Sequence, residues 1–150
     1  MSSEDLPEFL YRNVEDWFVN LLAPTIERRL DAAGTGTLTW CPNWWEHAEA
    51  IARLEALWRA WEVCRDTDGE SPARWFWQHC DPMLSVLMDA KVGPMSDCKP
   101  TEHRKYTNAL HLPITAAPRG YWGTTVAATT AQPPAEFRRI GAEPISGWRT

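Results

Sequence analysis

The sequence has no hydrophobic run of the roughly 18–20 residues that a membrane-spanning helix needs. Its start also lacks the basic and then apolar pattern of a secretory signal, because Met1 to Asp5 carries serine and acid. We therefore expect a cytoplasmic protein with no membrane contact. Cysteines are few, four in 150 residues, and in the cytoplasm they are expected to be free, buried or metal-bound rather than paired in disulfides.

Clustered cations are missing as well. Residues 1–106 hold 11 Lys/Arg against 18 Asp/Glu, and residues 107–150 hold 4 against 2. A surface that follows nucleic-acid phosphates needs a patch of basic side chains, whereas the basic groups here come in pairs such as Arg28-Arg29. Direct nucleic-acid binding is therefore less expected than contact with a protein.

No catalytic or nucleotide-binding motif is evident, but two cysteine–histidine pairs stand out, Cys41-x5-His47 and Cys98-x4-His103. In each pair we expect the thiol just before a helix and the imidazole in its first turn. Two thiolates and two neutral imidazoles are a complete ligand set for tetrahedral zinc. The sequence therefore predicts one structural zinc site, the alternative being that these are four ordinary buried residues.

A smaller group consists of His79 and Asp81. Because Asp81 precedes Pro82, it is first interpreted as a helix cap. In the other interpretation, His79 is an alternative metal ligand, or Asp81 is a carboxylate that accepts a hydrogen bond from a ligating imidazole.

Helical periodicity indicates a mainly α fold. Asn13 is expected to cap a first helix that Pro24 kinks or restarts. The clearest apolar stripe predicts a helix from about Trp45 to Cys64. Cap-and-proline signals predict two short helices, at about 72–79 and 82–89.

Tryptophan is unusually abundant, with ten residues in the chain. Most of those before residue 107 fall on the apolar stripes, which favours core packing over a platform for stacking bases or sugars. Trp45 and Trp77 fit the stripes least well. We expect these two to be exposed and to form a possible interface with a partner.

From Thr107 onward the composition changes to proline, threonine, alanine and glycine with no sustained period. The predicted organisation is a flexible N-terminus (1–12), a helical zinc-stabilised domain (13–106) and an extended, irregular tail (107–150). This segmentation predicts that proteolysis trims the tail first.

The stretch Trp40-Cys41-Pro42-Asn43-Trp44-Trp45-Glu46-His47, continued through Trp61-Glu62, resembles a domain-of-unknown-function family of high-GC Gram-positive bacteria, their plasmids and their phages. His79, Asp81-Pro82 and the Cys98–His103 pair follow in the same order, so that the resemblance covers about residues 10–104. It implies an accessory protein of a phage or other mobile genetic element and supplies no reaction.

These observations favour an interaction module that acts through protein–protein contacts. A zinc-containing nucleic-acid-associated protein is the alternative, and a zinc-dependent hydrolase comes third. The hydrolase needs an open metal position and a carboxylate base. The acids beside the histidines, Glu46 and Glu102, point about 100° away from their neighbours if both lie on a helix, and four ligands would fill the metal shell. Catalysis is therefore less expected than a structural role.

Overall fold

The computed structural model describes residues 8–30, 36–104 and 111–123. These residues form helices, turns and two isolated β-bridges, without a strand. The prediction of a mainly α fold is confirmed. Within the same ranges, no helix combines the length and the apolar character that crossing a membrane requires.

The first helical run consists of α1 (Val14–Trp17), a π-helical turn (Phe18–Leu22) and α2 (Ala23–Thr25). The predicted cap is confirmed, because Asn13 Oδ1 accepts a hydrogen bond from the Asp16 N–H at 2.8 Å. The run ends where Ile26 turns extended, at φ −83° and ψ 114°. The helix does not restart over residues 26–30.

The central helix α3 (Ala48–Cys64) follows a short 3-10 turn (Trp44–Glu46). Its buried face carries Ala50, Leu54, Leu57 and Trp58. The predicted helix is confirmed over most of its length. It begins later than predicted, because the His47 backbone is extended.

The next helical run is continuous, although the sequence predicted two helices. It consists of α4 (Ser71–Trp75), a π-helical turn (Phe76–Cys80) and α5 (Asp81–Leu87). The interpretation of Asp81 as a cap was wrong, because its backbone is helical and its N–H donates to the Phe76 carbonyl five residues earlier. At the actual start, Asp68 Oδ1 accepts from the backbone N–H groups of Glu70 and Ser71, at 2.9 and 2.8 Å.

Proline explains why this run contains a π turn. In a regular helix the ring of a proline clashes with the carbonyl four residues earlier, and its nitrogen has no hydrogen to donate. In a π turn, which has one extra residue, a backbone N–H bonds to the carbonyl five residues earlier and not four. Pro82 therefore remains inside a helix that the sequence pattern predicted to break there.

The two helical runs share a local sequence. Each contains Trp-Phe, five further residues and Pro, at Trp17-Phe18 to Pro24 and at Trp75-Phe76 to Pro82. In both, the π turn starts at the phenylalanine. We call these segments the Trp-Phe-Pro motifs. Their two tryptophans are fully buried and meet edge to face, with ring centroids 6.2 Å apart at 86°.

Core packing accounts for most of the tryptophans in this part of the chain. Trp17, Trp44, Trp58 and Trp75 are buried, and Trp40 and Trp61 are partly buried against the same core. The prediction that these residues serve packing is confirmed.

The chain divides between His103 and Arg104 into two units. In the first, the described part of the predicted flexible N-terminus is bonded to α3, because the backbone N–H groups of Leu10 and Tyr11 donate to the Glu62 carboxylate. In the second, residues 111–123 are exposed and irregular. The boundaries proposed at residues 13 and 107 stay predictions.

Candidate metal centre

The first cysteine–histidine pair brackets the 3-10 turn. Cys41 is fully buried, and the His47 N–H donates to the Trp44 carbonyl at 3.0 Å. His47 is the last residue before α3, and its carbonyl accepts the N–H of Ile51. The imidazole therefore lies at the entrance of the helix, whereas the sequence placed it inside the helix.

The second pair brackets a tight turn. The backbone groups of Lys99 and Glu102 exchange two hydrogen bonds, at 2.9 and 3.0 Å, so that Cys98 and His103 stand on either side of a closed loop. The prediction of a short helix at His103 was wrong. The physical reason is this pairing, which closes the chain into a turn at Pro100 before a helical turn can form.

Hydrogen bonds bring the two pairs together. The Thr39 N–H donates to the Met88 carbonyl at 2.8 Å, and the Ala90 N–H donates to the Thr37 carbonyl at 3.0 Å. The buried Thr39 hydroxyl donates to the Cys98 carbonyl at 2.8 Å. The segment that leads to Cys41 is thus attached both to the end of α5 and to the second pair.

Aromatic packing holds the same segment from the other side. The Phe18 ring stacks on Trp40, with centroids 5.5 Å apart and planes 8° apart. It also contacts Trp44 at 5.0 Å. Trp40 and Trp44 flank Cys41 in the chain, so the first Trp-Phe-Pro motif positions the first cysteine–histidine pair.

The four predicted ligands form one cluster, in which all ligand atoms lie within 4.8 Å of one another. Cys41 Sγ is 3.1 Å from His103 Nδ1, and Cys98 Sγ is 3.5 Å from His47 Nε2 and 3.8 Å from His103 Nδ1. Typical zinc–ligand distances place the donors of a tetrahedral site about 3.3–3.8 Å apart. The cluster can therefore hold a metal ion, as the sequence predicted.

The pKa values of the cluster describe its chemistry without a cation. Burial, and then a hydrogen bond with the Cys98 thiol, raise the pKa of Cys41 to about 12. Burial, and then the neighbouring His103, lower the pKa of His47. The imidazole is therefore held in the neutral form that binds metals, whereas the thiol needs a nearby positive charge to lose its proton.

Each histidine also has a partner outside the cluster. The backbone of Pro94 forms a hydrogen bond with His47. His103 Nε2 lies 3.4 Å from Glu46 Oε2, and Glu46 Oε1 accepts a hydrogen bond from Asn43 Nδ2 at 2.9 Å. The sequence argument missed this contact because it compared Glu46 only with its neighbour His47. Nothing in the local spacing shows that Glu46 faces the other pair.

His79 and Asp81 are not members of the cluster. Both residues are exposed, and Asp81 Oδ1 lies 3.9 Å from Arg28 Nη2 instead. Their role as an alternative ligand or supporting carboxylate therefore has no support in this geometry. The other two thiols, Cys64 and Cys80, are free, and burial raises the pKa of Cys80 to about 11.

Trp45 and Trp77 are 56% and 61% exposed, which confirms the prediction that they lie at the surface. Trp45 belongs to the 3-10 turn between the first two ligands. Trp77 belongs to the second π turn. Their use as an interface stays a prediction.

Comparison with known proteins gives one family. A model described as a domain of unknown function (DUF4913) matches residues 11–118. The match includes all four cluster residues and extends past residue 107. No curated protein and no solved structure matches the chain.

Proposed function

Because the chain belongs to the DUF4913 family, a domain of unknown function, we propose its role from the geometry of the cluster. Cys41, His47, Cys98 and His103 bind one structural zinc ion. The ion holds together a small helical module that acts by contacting another protein. The observation that carries the metal assignment is the convergence of four ligand atoms within 4.8 Å, from two segments far apart in the chain.

The donor set favours zinc. Two sulfur and two imidazole donors suit a borderline-soft cation with tetrahedral preference, whereas calcium and magnesium select oxygen ligands. Two thiolates also balance the double positive charge, which makes burial of the site less costly.

The ligand count favours a structural role over a hydrolytic one. A catalytic zinc site usually has three protein ligands and keeps its fourth position for water. Here four protein donors lie within 4.8 Å of one another, enough to fill a tetrahedral shell. The zinc-dependent hydrolase is accordingly disfavoured.

The interaction role rests on surface chemistry. Trp45 and Trp77 are more than half exposed, and tryptophan is among the side chains most enriched in binding hot spots. Acidic residues outnumber basic ones among residues 1–106, which favours a protein partner over nucleic acid. We place this role in a phage or other mobile genetic element on the resemblance of the tryptophan–cysteine block alone.

The metal assignment is tested on the full chain purified without chelator. Elemental analysis should find about one zinc per chain. Cobalt substitution should give the intense visible bands of a tetrahedral site with thiolate ligands. Cys98→Ser should lose both signals, whereas Cys64→Ser, which changes a thiol outside the cluster, should keep them. Protein without zinc and without a cobalt spectrum would refute the assignment.

The interaction role is tested separately. Proteins that copurify with the wild-type chain from its native host should be lost with Trp45→Ala or Trp77→Ala in variants that remain folded. Gel-shift titration with mixed DNA and RNA is the second arm. Salt-sensitive, sub-micromolar binding there would support the nucleic-acid alternative and overturn the protein-contact proposal.

A further inference from the structure

We propose that Glu46 is a positioning residue for the metal centre: in the metal-bound protein its carboxylate accepts a hydrogen bond from the Nε2–H of His103 and so aims Nδ1 at the cation. This inference rests on the proposed zinc site. It assigns to Glu46 a role that the spacing of the ligands does not suggest. The observation behind it is the contact between Glu46 Oε2 and His103 Nε2 at 3.4 Å.

In His103, the nitrogen that faces the cluster determines whether the other ring nitrogen carries a hydrogen and requires an acceptor. His103 Nδ1 lies 3.1 and 3.8 Å from the two sulfurs. A neutral imidazole carries one hydrogen, so a ring that binds through Nδ1 carries it on Nε2. That nitrogen is buried and has no hydrogen bond of good geometry. The carboxylate beside it is the acceptor that a small side-chain rotation would engage.

The carboxylate is held in place by its own segment. Asn43 Nδ2 donates to Glu46 Oε1 at 2.9 Å, and the Glu46 N–H donates to the Asn43 carbonyl at 2.9 Å. Asn43 and Glu46 both lie between the ligands of the first pair, whereas His103 belongs to the second. Glu46 therefore joins the two pairs by a contact independent of the metal.

The two histidines differ in how they are supported. His47 directs Nε2 toward Cys98 Sγ, and its ring forms a hydrogen bond with the backbone of Pro94. His103 presents Nδ1 and has a carboxylate as its partner. Partners of this kind fix the tautomer and the orientation of a ligating ring, and their loss typically costs about 10–100-fold in metal affinity.

The test measures zinc affinity of the full chain by competition with a chromophoric chelator. Glu46→Ala should weaken binding about 10–100-fold. Glu46→Gln should weaken it less, because the amide oxygen can accept the same hydrogen bond. The matched control is Glu49→Ala, which removes an exposed carboxylate that pairs with Arg53 on α3. It should bind zinc as the wild type does.

Nitrogen-15 NMR of the histidine rings in the zinc-loaded protein supplies a readout that a merely structural role would not move. In the wild type His103 should carry its proton on Nε2. In Glu46→Ala the Nε2 signal should shift toward that of a water-bonded imidazole, while the His47 signals stay in place.

Two negative outcomes are distinguishable. A wild-type chain that binds no zinc overturns the metal proposal and this inference with it. Wild-type affinity and unchanged His103 signals in a folded, zinc-binding Glu46→Ala variant overturn this inference alone and leave the metal centre standing.

Discussion

The two ends of α3 are tied to distant parts of the chain by two different kinds of polar cluster. At the C-terminal end, the Glu62 side chain is 1% exposed and accepts from the backbone N–H groups of Leu10 and Tyr11, from Trp58 Nε1 and from Arg65 Nε, at 2.9–3.0 Å. At the N-terminal end, His47 meets Cys98 and the other two members of the metal cluster.

The two clusters differ in whether the protein itself supplies the hydrogen-bond donors that the cluster requires. Glu62 is an anion surrounded by donors from the protein itself. Burial alone would raise its pKa, but the hydrogen bonds outweigh that effect, and the pKa is lowered from its ordinary value of 4.5. The Cys/His cluster offers mainly lone pairs and weakly donating thiols to its own members. One link is therefore made by protein atoms alone, and the other can hold the cation that we propose.

Metal removal should have the largest effect, because it breaks the link at the N-terminal end of α3. Folding and zinc binding are coupled in such sites, so we expect a chelator to lower the free energy of unfolding by about 5 kcal/mol or more. Urea titration measures this change. Cys98→Ser should be destabilised to a similar extent and should show no further response to chelator. If chelator leaves the urea midpoint of the wild type unchanged, the link at the N-terminal end of α3 does not depend on a metal ion.

Glu62→Gln should break the other link while leaving the metal site loaded. The amide replaces one accepting oxygen by a donor that faces other donors, so we expect a loss of about 3 kcal/mol. Urea titration gives the stability, and elemental analysis should still find one zinc per chain. Glu49→Gln is the control and should change stability by less than about 0.5 kcal/mol. Loss of zinc in folded Glu62→Gln would show that the two ends are not independent.

Acid should remove the contribution that the ionised Glu62 side chain makes to the stability of the fold. Since the folded pKa of Glu62 is lowered, its stabilisation is complete above the unfolded value of about 4.5 and is lost as the pH falls through the folded value. The metal cluster also responds to acid, so the quantity to follow is the stability difference between the wild type and Glu62→Gln. It should be constant from neutral pH to about pH 5 and shrink below pH 4.5. A stability difference that grows in acid would show that the pKa of Glu62 is raised in the folded protein.

Trp77→Ala should have the smallest effect on stability, because the side chain is 61% exposed and belongs to neither link. We expect a change within about 0.5 kcal/mol, with loss of the copurifying partner. The two Trp-Phe-Pro motifs supply the control, since Val19 occupies the equivalent position and is 58% exposed. Val19→Ala should keep both stability and partner. Equal partner loss in both variants would argue against a specific role for Trp77.

Local patterns were enough to predict part of this molecule. The period of α3, the cap at Asn13 and the choice of the four residues that form the cluster each follow from a short stretch of sequence and from the chemistry of its side chains. The exposure of Trp45 and Trp77 could be predicted in the same way, from their poor fit to the apolar stripes.

The remaining features depend on contacts between distant segments or on adjustments of the backbone. Glu46 faces a histidine from the other pair, and Glu62 collects donors from residues more than fifty positions away. The helix expected to end at about residue 79 continues because a π turn accommodates Pro82. His103 lies beside a turn that two backbone hydrogen bonds close. The contacts of Glu46 and Glu62 have no signature in the neighbouring residues.

Because of the second π turn, whether the chain can accept a deletion there depends on the residue at position 82. A π turn contains one residue more than the α-turn that it replaces. Deletion of one residue from Trp77–Cys80 would return this turn to α geometry and leave the residues after it on nearly the same face of the helix. Leu84 and Leu87, now buried, would keep their place in the core, but the ring of Pro82 would clash with the preceding turn. A one-residue deletion at this point is therefore expected to be accepted only together with a replacement of the proline.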